Sequence, residues 1–159
     1  MNKERDLDGW AEGERHNVLE VAGMLGVSPE AYRAEPANLV PALQDYVSRA
    51  PFEEFEQSDR ITMHADLMSY VADYLIRKHG ARWSVDSDST TPCGYRYVVE
   101  AVGRDGRTRQ LDPLQTVAQE FAHPPVDIVR MLAGAELTLG LLSPALPATH
   151  SAPGPPTTR

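Results

Sequence analysis

Apolar residues first recur at helical spacing at Val18, Leu19, Ala22 and Leu25, which predicts a helix opening near Glu14. Gly26 supplies its C-terminal stop. Ser28 followed by Pro29 pairs an N-cap with a first-turn proline and predicts a short helix through Tyr32, closed by Glu35-Pro36. Asn38 then reads as the cap of another helix, with Pro41 in its first turn and Leu39, Leu43, Tyr46 and Val47 as its apolar stripe. Pro51 ends it, and the connector FEEFEQSDR follows, with Phe52 and Phe55 expected to pin it to the body. The longest helix is predicted from about Ser58 to His79, with Gly80 just past its end. Ile61, Ala65, Met68, Val71, Ala72 and Leu75 make its apolar face; Asp59, Thr62, Asp66, Ser69, Asp73 and Arg77 make the opposite, polar one.

The period then changes to two. RWSVD reads as a short strand and YRYVVEAVG as a second, with Tyr95, Tyr97, Val99 and Ala101 on one face. RDG is a hairpin signal, and RTRQL is the return strand. Asp112-Pro113 opens a helix through about Phe121, Pro124-Pro125 breaks it, and a last helix runs from about Val126 to Leu139. From Ser143 onward there are five prolines in 17 residues and no charged side chain before Arg159. The expected organisation is a loosely ordered N-terminus over residues 1–13 carrying Trp10 as an anchor, one α+β domain over 14–142, and a disordered proline-rich tail over 143–159. Within the domain, a helical N-terminal part and a long amphipathic helix precede a small three-stranded antiparallel sheet and two C-terminal helices, with the long helix and the C-terminal pair covering one sheet face.

Composition narrows the function classes. The 159 residues are 42% hydrophobic, enough for a real core, and the net charge is -8, which disfavours nucleic acid and anionic membranes as partners. Residues 1–60 alone hold six Lys or Arg against 13 Asp or Glu. Cys93 is the one cysteine, so no internal disulfide forms, and a lone thiol suits a reducing compartment. The opening MNKERDLDGW has no apolar segment of the secretory kind, and no stretch reaches the length of a membrane span, so a cytoplasmic location is expected.

Several stretches invite a chemical reading. VAGMLGVSPEAYRAEP resembles the corner of a helix-turn-helix, which makes a DNA-binding regulator one alternative. Its second helix has only about six residues before Pro36, in acidic surroundings, whereas DNA affinity depends on neutralising phosphates. Helix packing explains the corner better. VDSDSTTP places Asp86, Asp88 and Thr90 at the spacing of a phosphatase-type nucleophile loop, and Cys93 follows, so a small hydrolase centred on Asp86, Asp88 and Cys93 is the other alternative. Too little chain follows for the parallel sheet that chemistry uses, and a turn built from Asp, Ser and Pro is the simpler reading. His64, His79, Cys93 and His123 show no metal-ligand spacing; His64 and His79 would lie roughly 22 Å apart on one helix. Neither a metal nor a cofactor is expected.

Arginines stand out on the predicted hairpin. Arg96, Arg104, Arg107 and Arg109 form the cationic stretch of an acidic chain, with Trp83 and Tyr97 beside them as aromatic anchors. Such segregation can mark an anionic partner, and arginine on an exposed sheet edge is also ordinary protection against aggregation. The run ADLMSYVADYLIRKHGARWSVDSD…YRYVVEAVGRDGRTRQLDPLQTVAQEF resembles uncharacterised small bacterial α+β domains, through Gly80, Trp83, Asp112 and Pro113. That resemblance implies a structural helix-to-strand junction and no assigned chemistry. The expectation is therefore a non-catalytic accessory or immunity-like protein that binds another protein through Trp83, Arg96, Tyr97, Arg104, Arg107 and Arg109.

Overall fold

The structure, a computed structural model, describes residues 3–142; the tail over 143–159 lies outside the described residues. Six helices, α1 (Lys3–Met24), α2 (Pro29–Ala34), α3 (Val40–Arg49), α4 (Gln57–His79), α5 (Pro113–Phe121) and α6 (Ile128–Thr138), surround strands β1 (Arg82–Ser87), β2 (Tyr95–Val102) and β3 (Thr108–Leu111). The strands form an antiparallel meander in the order β1-β2-β3. The fold class is α+β, as the change of period predicts.

Local signals set most boundaries. The Ser28 hydroxyl accepts from the Ala31 N–H at 3.1 Å and starts α2. Gly80 stops α4 in the left-handed conformation, φ 68°, which glycine adopts without a side-chain penalty. Asp112 accepts from the N–H groups of Leu114 and Gln115 and starts α5. Asn38 is a departure: it does not cap α3 but reaches back to the Ala31 carbonyl at 3.0 Å, while Pro36–Leu39 form a 3-10 turn of their own.

Two differences from the sequence reading matter more. First, α1 begins at Lys3, well before the apolar stripe at Val18. The cause is Trp10, whose ring stacks on Tyr97 at 4.3 Å and meets Trp83 edge-on at 5.7 Å. One aromatic anchor on the sheet extends a helix whose own sequence there is polar. Second, the polar side of α4 is not solvated along its whole length: Asp59 and Thr62 are exposed, but its middle is not. Ser69 and Asp73 are buried, because α1 and α2 pack against that side while α5 packs against the N-terminal half of the helix. The sheet is met by α1 at β1 and by α6 at β3, and α4 lies behind them as the centre of the core, with Leu67, Tyr70, Val71 and Leu75 fully buried.

The buried polar side is satisfied in detail. Tyr32 donates its hydroxyl to Asp73 at 2.5 Å, and Arg77 Nε reaches the same carboxylate at 2.7 Å. Asn17 donates to Asp66 at 3.1 Å and to Ser69 at 3.0 Å, and Ser69 donates to Glu14. Burial raises the Glu14 pKa, partly offset by the Ser69 hydroxyl, and burial raises that of Asp66 as well.

These two acids hold a proton more tightly folded than unfolded. Their contribution favours the fold in acid and is lost as pH rises above the ordinary values of 4.5 for Glu14 and 3.8 for Asp66 through the raised folded values. Glu14→Gln keeps an acceptor for Ser69 without the charge. It is expected to raise Tm by roughly 1–3 °C at pH 8, a small gain because the group is only part buried. Thermal unfolding at pH 8 and pH 4 checks this: the gain should shrink at pH 4, and a loss of Tm at pH 8 contradicts it.

Candidate functional site

The hairpin arginines do not gather on one surface. Strand register puts Trp83, Tyr97 and Arg109 on one sheet face, since Trp83 pairs with Val99 and Arg109 with Ala101, and puts Arg96 on the other. Arg96 sits at the start of β2 and Arg104 beyond its end, roughly 25 Å away.

Each residue also has a local structural partner. Arg96 is surrounded by Asp86 at 3.1 Å, Asp112 at 3.4 Å and Asp88 at 3.8 Å. Trp83 is buried, and Tyr97 lies under Trp10 with its pKa pushed up to about 12 by burial and by the Tyr95 hydroxyl. Arg109 makes two bonds to Asp105, at 2.9 and 2.6 Å, and lies across Gly103 and Gly140. Beside it, the Arg104 N–H donates to the Gly140 carbonyl at 2.8 Å. This clamp fastens the β2–β3 turn to the end of α6. Arg107 is different, with a side chain 81% exposed and a long 3.9 Å pair to Asp105.

The loop after β1 is likewise organised around itself. The Thr90 hydroxyl and N–H both bond Asp88, at 2.6 and 2.9 Å, and hold its carboxyl below the usual range. The Asp88 N–H donates to the Gly94 carbonyl at 2.9 Å. Asp86 and Asp88 face Arg96, while Cys93 is exposed. A carboxylate held ionised by donors is a poor general acid. In the helix-turn-helix-like corner, α2 has six residues and its central Tyr32 is fully buried on Asp73, leaving Arg33 as the basic side chain that α2 presents.

A recess that the sequence reading did not assemble lies elsewhere. The end of α3, the 3-10 turn Phe52–Glu54, the first turns of α4 and the link from α5 to α6 enclose a groove of about 660 Å³. Four rings line it in succession. Phe55 meets Phe52 at 5.3 Å, Phe52 meets Phe121 edge-on at 5.3 Å, and Phe121 meets the His64 ring at 4.6 Å. Met63 and Val126 complete the apolar wall, and Arg60 stands at its edge. Burial, and then the charge of Arg60, lower the His64 pKa, so its imidazole is neutral at neutral pH.

Phe52 and Phe55 are legible in the sequence as two aromatics in an acidic connector, and His64 as a residue bordering the apolar stripe. Their convergence with Phe121 depends on α5 packing against α4, which no local pattern encodes. Among the described residues no group of three or more His, Cys, Asp or Glu is placed to hold a metal ion, and no helix is long and apolar enough to cross a membrane. Comparison of the chain with protein-family models, with curated proteins and with solved structures finds no match.

The clamp at the turn yields a stability prediction. A Cβ on Gly103 would meet Arg109 Nη1 at 2.5 Å and the Leu139 carbonyl at 3.0 Å. Gly103→Ala is therefore expected to cost about 1–3 kcal/mol, measured by chemical denaturation. Adding Arg109→Ala should recover part of that loss, because the displaced side chain is gone. Strictly additive losses would contradict the clamp.

Proposed function

We propose that the protein is a non-catalytic binding protein whose binding site is the groove beside Phe52, Phe55 and Phe121, and that the occupant is a small, largely apolar molecule. One observation carries this reading: the groove is a recess of about 660 Å³ walled by aromatic and aliphatic side chains. That volume lies within the range of small-molecule sites, which are mostly apolar with a few placed polar groups. A site for an extended chain would be a longer trough. The candidate catalytic groups lend no competing support, because Asp86 and Asp88 are engaged by Arg96 and Thr90.

The test uses a neutral, environment-sensitive fluorophore, N-phenyl-1-naphthylamine, titrated into the full chain. Ala118 lines the groove and is exposed, so Ala118→Trp fills the recess without burying new volume in the core. Trp in place of Ala in a helix costs under about 0.7 kcal/mol, so Tm should hardly move. The parent is expected to bind one equivalent of probe and the variant to lose at least about tenfold in affinity. A parent that binds no probe, or a variant that binds it equally well, overturns the groove as the site.

A second reading, capture of an acidic protein partner by the hairpin, is favoured by the exposure of Arg107. Arg107→Ala tests it without the damage to the turn that Arg109→Ala would cause. Under this reading a protein that co-purifies with the parent from its native cell is lost from Arg107→Ala and kept by Arg82→Ala, which removes an equally exposed arginine from β1, the opposite edge strand of the sheet. Retention by Arg107→Ala removes that site.

A further inference from the structure

Arg60 is an arginine without an acid. Its guanidinium donates to the Phe52 carbonyl at 3.4 Å, a long bond, and no carboxylate among the described residues forms a salt bridge with it. Elsewhere in the fold Arg82, Arg96, Arg109 and Arg130 each hold a carboxylate. The contrast is sharper because acids surround Arg60 in sequence: Glu53, Glu54, Glu56 and Asp59. Asp59 turns away to accept from the Glu56 N–H at 3.0 Å. Glu53 and Glu54 are exposed. The guanidinium is left on the groove wall.

His64 is four residues further along α4, one turn on and on the same face of the helix. Its ring packs on Phe121, and neither ring nitrogen has a hydrogen-bond partner among the described residues. One edge of an apolar recess therefore carries a permanent cation that has no carboxylate partner, only a long bond to the Phe52 carbonyl, and an imidazole with no hydrogen-bond partner, among the described residues.

We propose that the groove binds a small amphipathic carboxylate, with its apolar body against Phe52, Phe55 and Phe121 and its carboxylate on Arg60, where His64 supplies a second donor. The planar guanidinium fork matches a carboxylate with two parallel bonds. A single negative charge fits better than a doubly charged phosphate, since Arg60 is the one cation that lines the groove among the described residues. The proposal rests on the groove being the binding site and adds the chemical class of what it takes.

The test is a matched pair of probes, 4-phenylbutanoate and 4-phenylbutan-1-ol, titrated calorimetrically into the full chain at pH 7.5. They share an apolar body and differ in the charged head. The acid is expected to bind about tenfold more tightly than the alcohol, the usual gain from one charge-assisted contact. Arg60→Gln should bring the acid down to the affinity of the alcohol and leave the alcohol unchanged, while Arg60→Lys keeps part of the preference. Arg60 is exposed, so the variants should fold with Tm close to the parent. If either does not fold, the acid-to-alcohol ratio of the parent decides alone.

Equal binding of acid and alcohol, or an acid affinity indifferent to Arg60→Gln, overturns the carboxylate assignment and leaves the groove reading intact. Binding of N-phenyl-1-naphthylamine with no binding of either phenylbutyl probe has the same meaning. Failure of all three probes overturns both.

Discussion

The buried carboxylate of Asp73 is the constraint on which the helical half of the molecule depends. A charge removed from water must be matched by donors, and removing one partner of such a pair costs about 3–5 kcal/mol. Asp73 is 6% exposed and is matched by Tyr32 from α2 and by Arg77 from its own helix, with the Arg77 guanidinium 5.7 Å from the centre of the Tyr32 ring. Burial and the hydrogen bond to Asp73 push the Tyr32 hydroxyl far above its ordinary pKa, so it stays a donor. The α2 corner is held because Tyr32 is the donor that Asp73 needs. Its likeness to a DNA-reading motif follows from the same short helix.

Asp66, Ser69 and Asp73 fall at spacings of three and four along α4, so they form one row. The row meets Asn17 and Glu14 from α1 and Tyr32 from α2. Polar pairing thereby seats both N-terminal helices on α4, and the seat of α1 delivers Trp10 to the sheet. Among the described residues Trp10 Nε1 is buried without an acceptor, an unmet donor that the ring contacts with Tyr97 and Trp83 must offset. Helices and sheet are joined through this ring cluster as much as through aliphatic packing.

The elements were legible in the sequence wherever punctuation is local. Gly26, Ser28-Pro29, Gly80, the RDG turn and Asp112-Pro113 act within a few residues, and the structure uses each as read. The buried side of α4 was illegible because its partners are distant: Tyr32 lies 41 positions from Asp73, and Asn17 lies 52 from Ser69. Periodicity separates polar from apolar faces, but it does not tell a solvated polar face from a matched one. Ile61 shows the converse, counted on the apolar face yet 61% exposed near the N-terminal end of α4. The pairing of Arg96 and Arg109 was illegible for the same reason. As letters the hairpin arginines form a cationic run, but Asp86, Asp88 and Asp112 are folded onto Arg96 and Asp105 onto Arg109, while Arg107 stays exposed.

Pairing elsewhere is what gives the groove its meaning. Where the fold needs a charge, it supplies the counter-charge from a neighbouring strand, turn or helix, as at Arg96, Arg109 and Arg130. The groove edge breaks that habit: among the described residues Arg60 has no carboxylate and neither nitrogen of the His64 ring has a hydrogen-bond partner. The same few residues are also where rings line a recess instead of closing into core. An exposed cation alone is ordinary, and so is a shallow apolar recess alone. Their coincidence at the start of α4 joins a place to bury an apolar body with a place to hold one negative charge, which is the pairing that selects one class of small molecule over its neutral analogue.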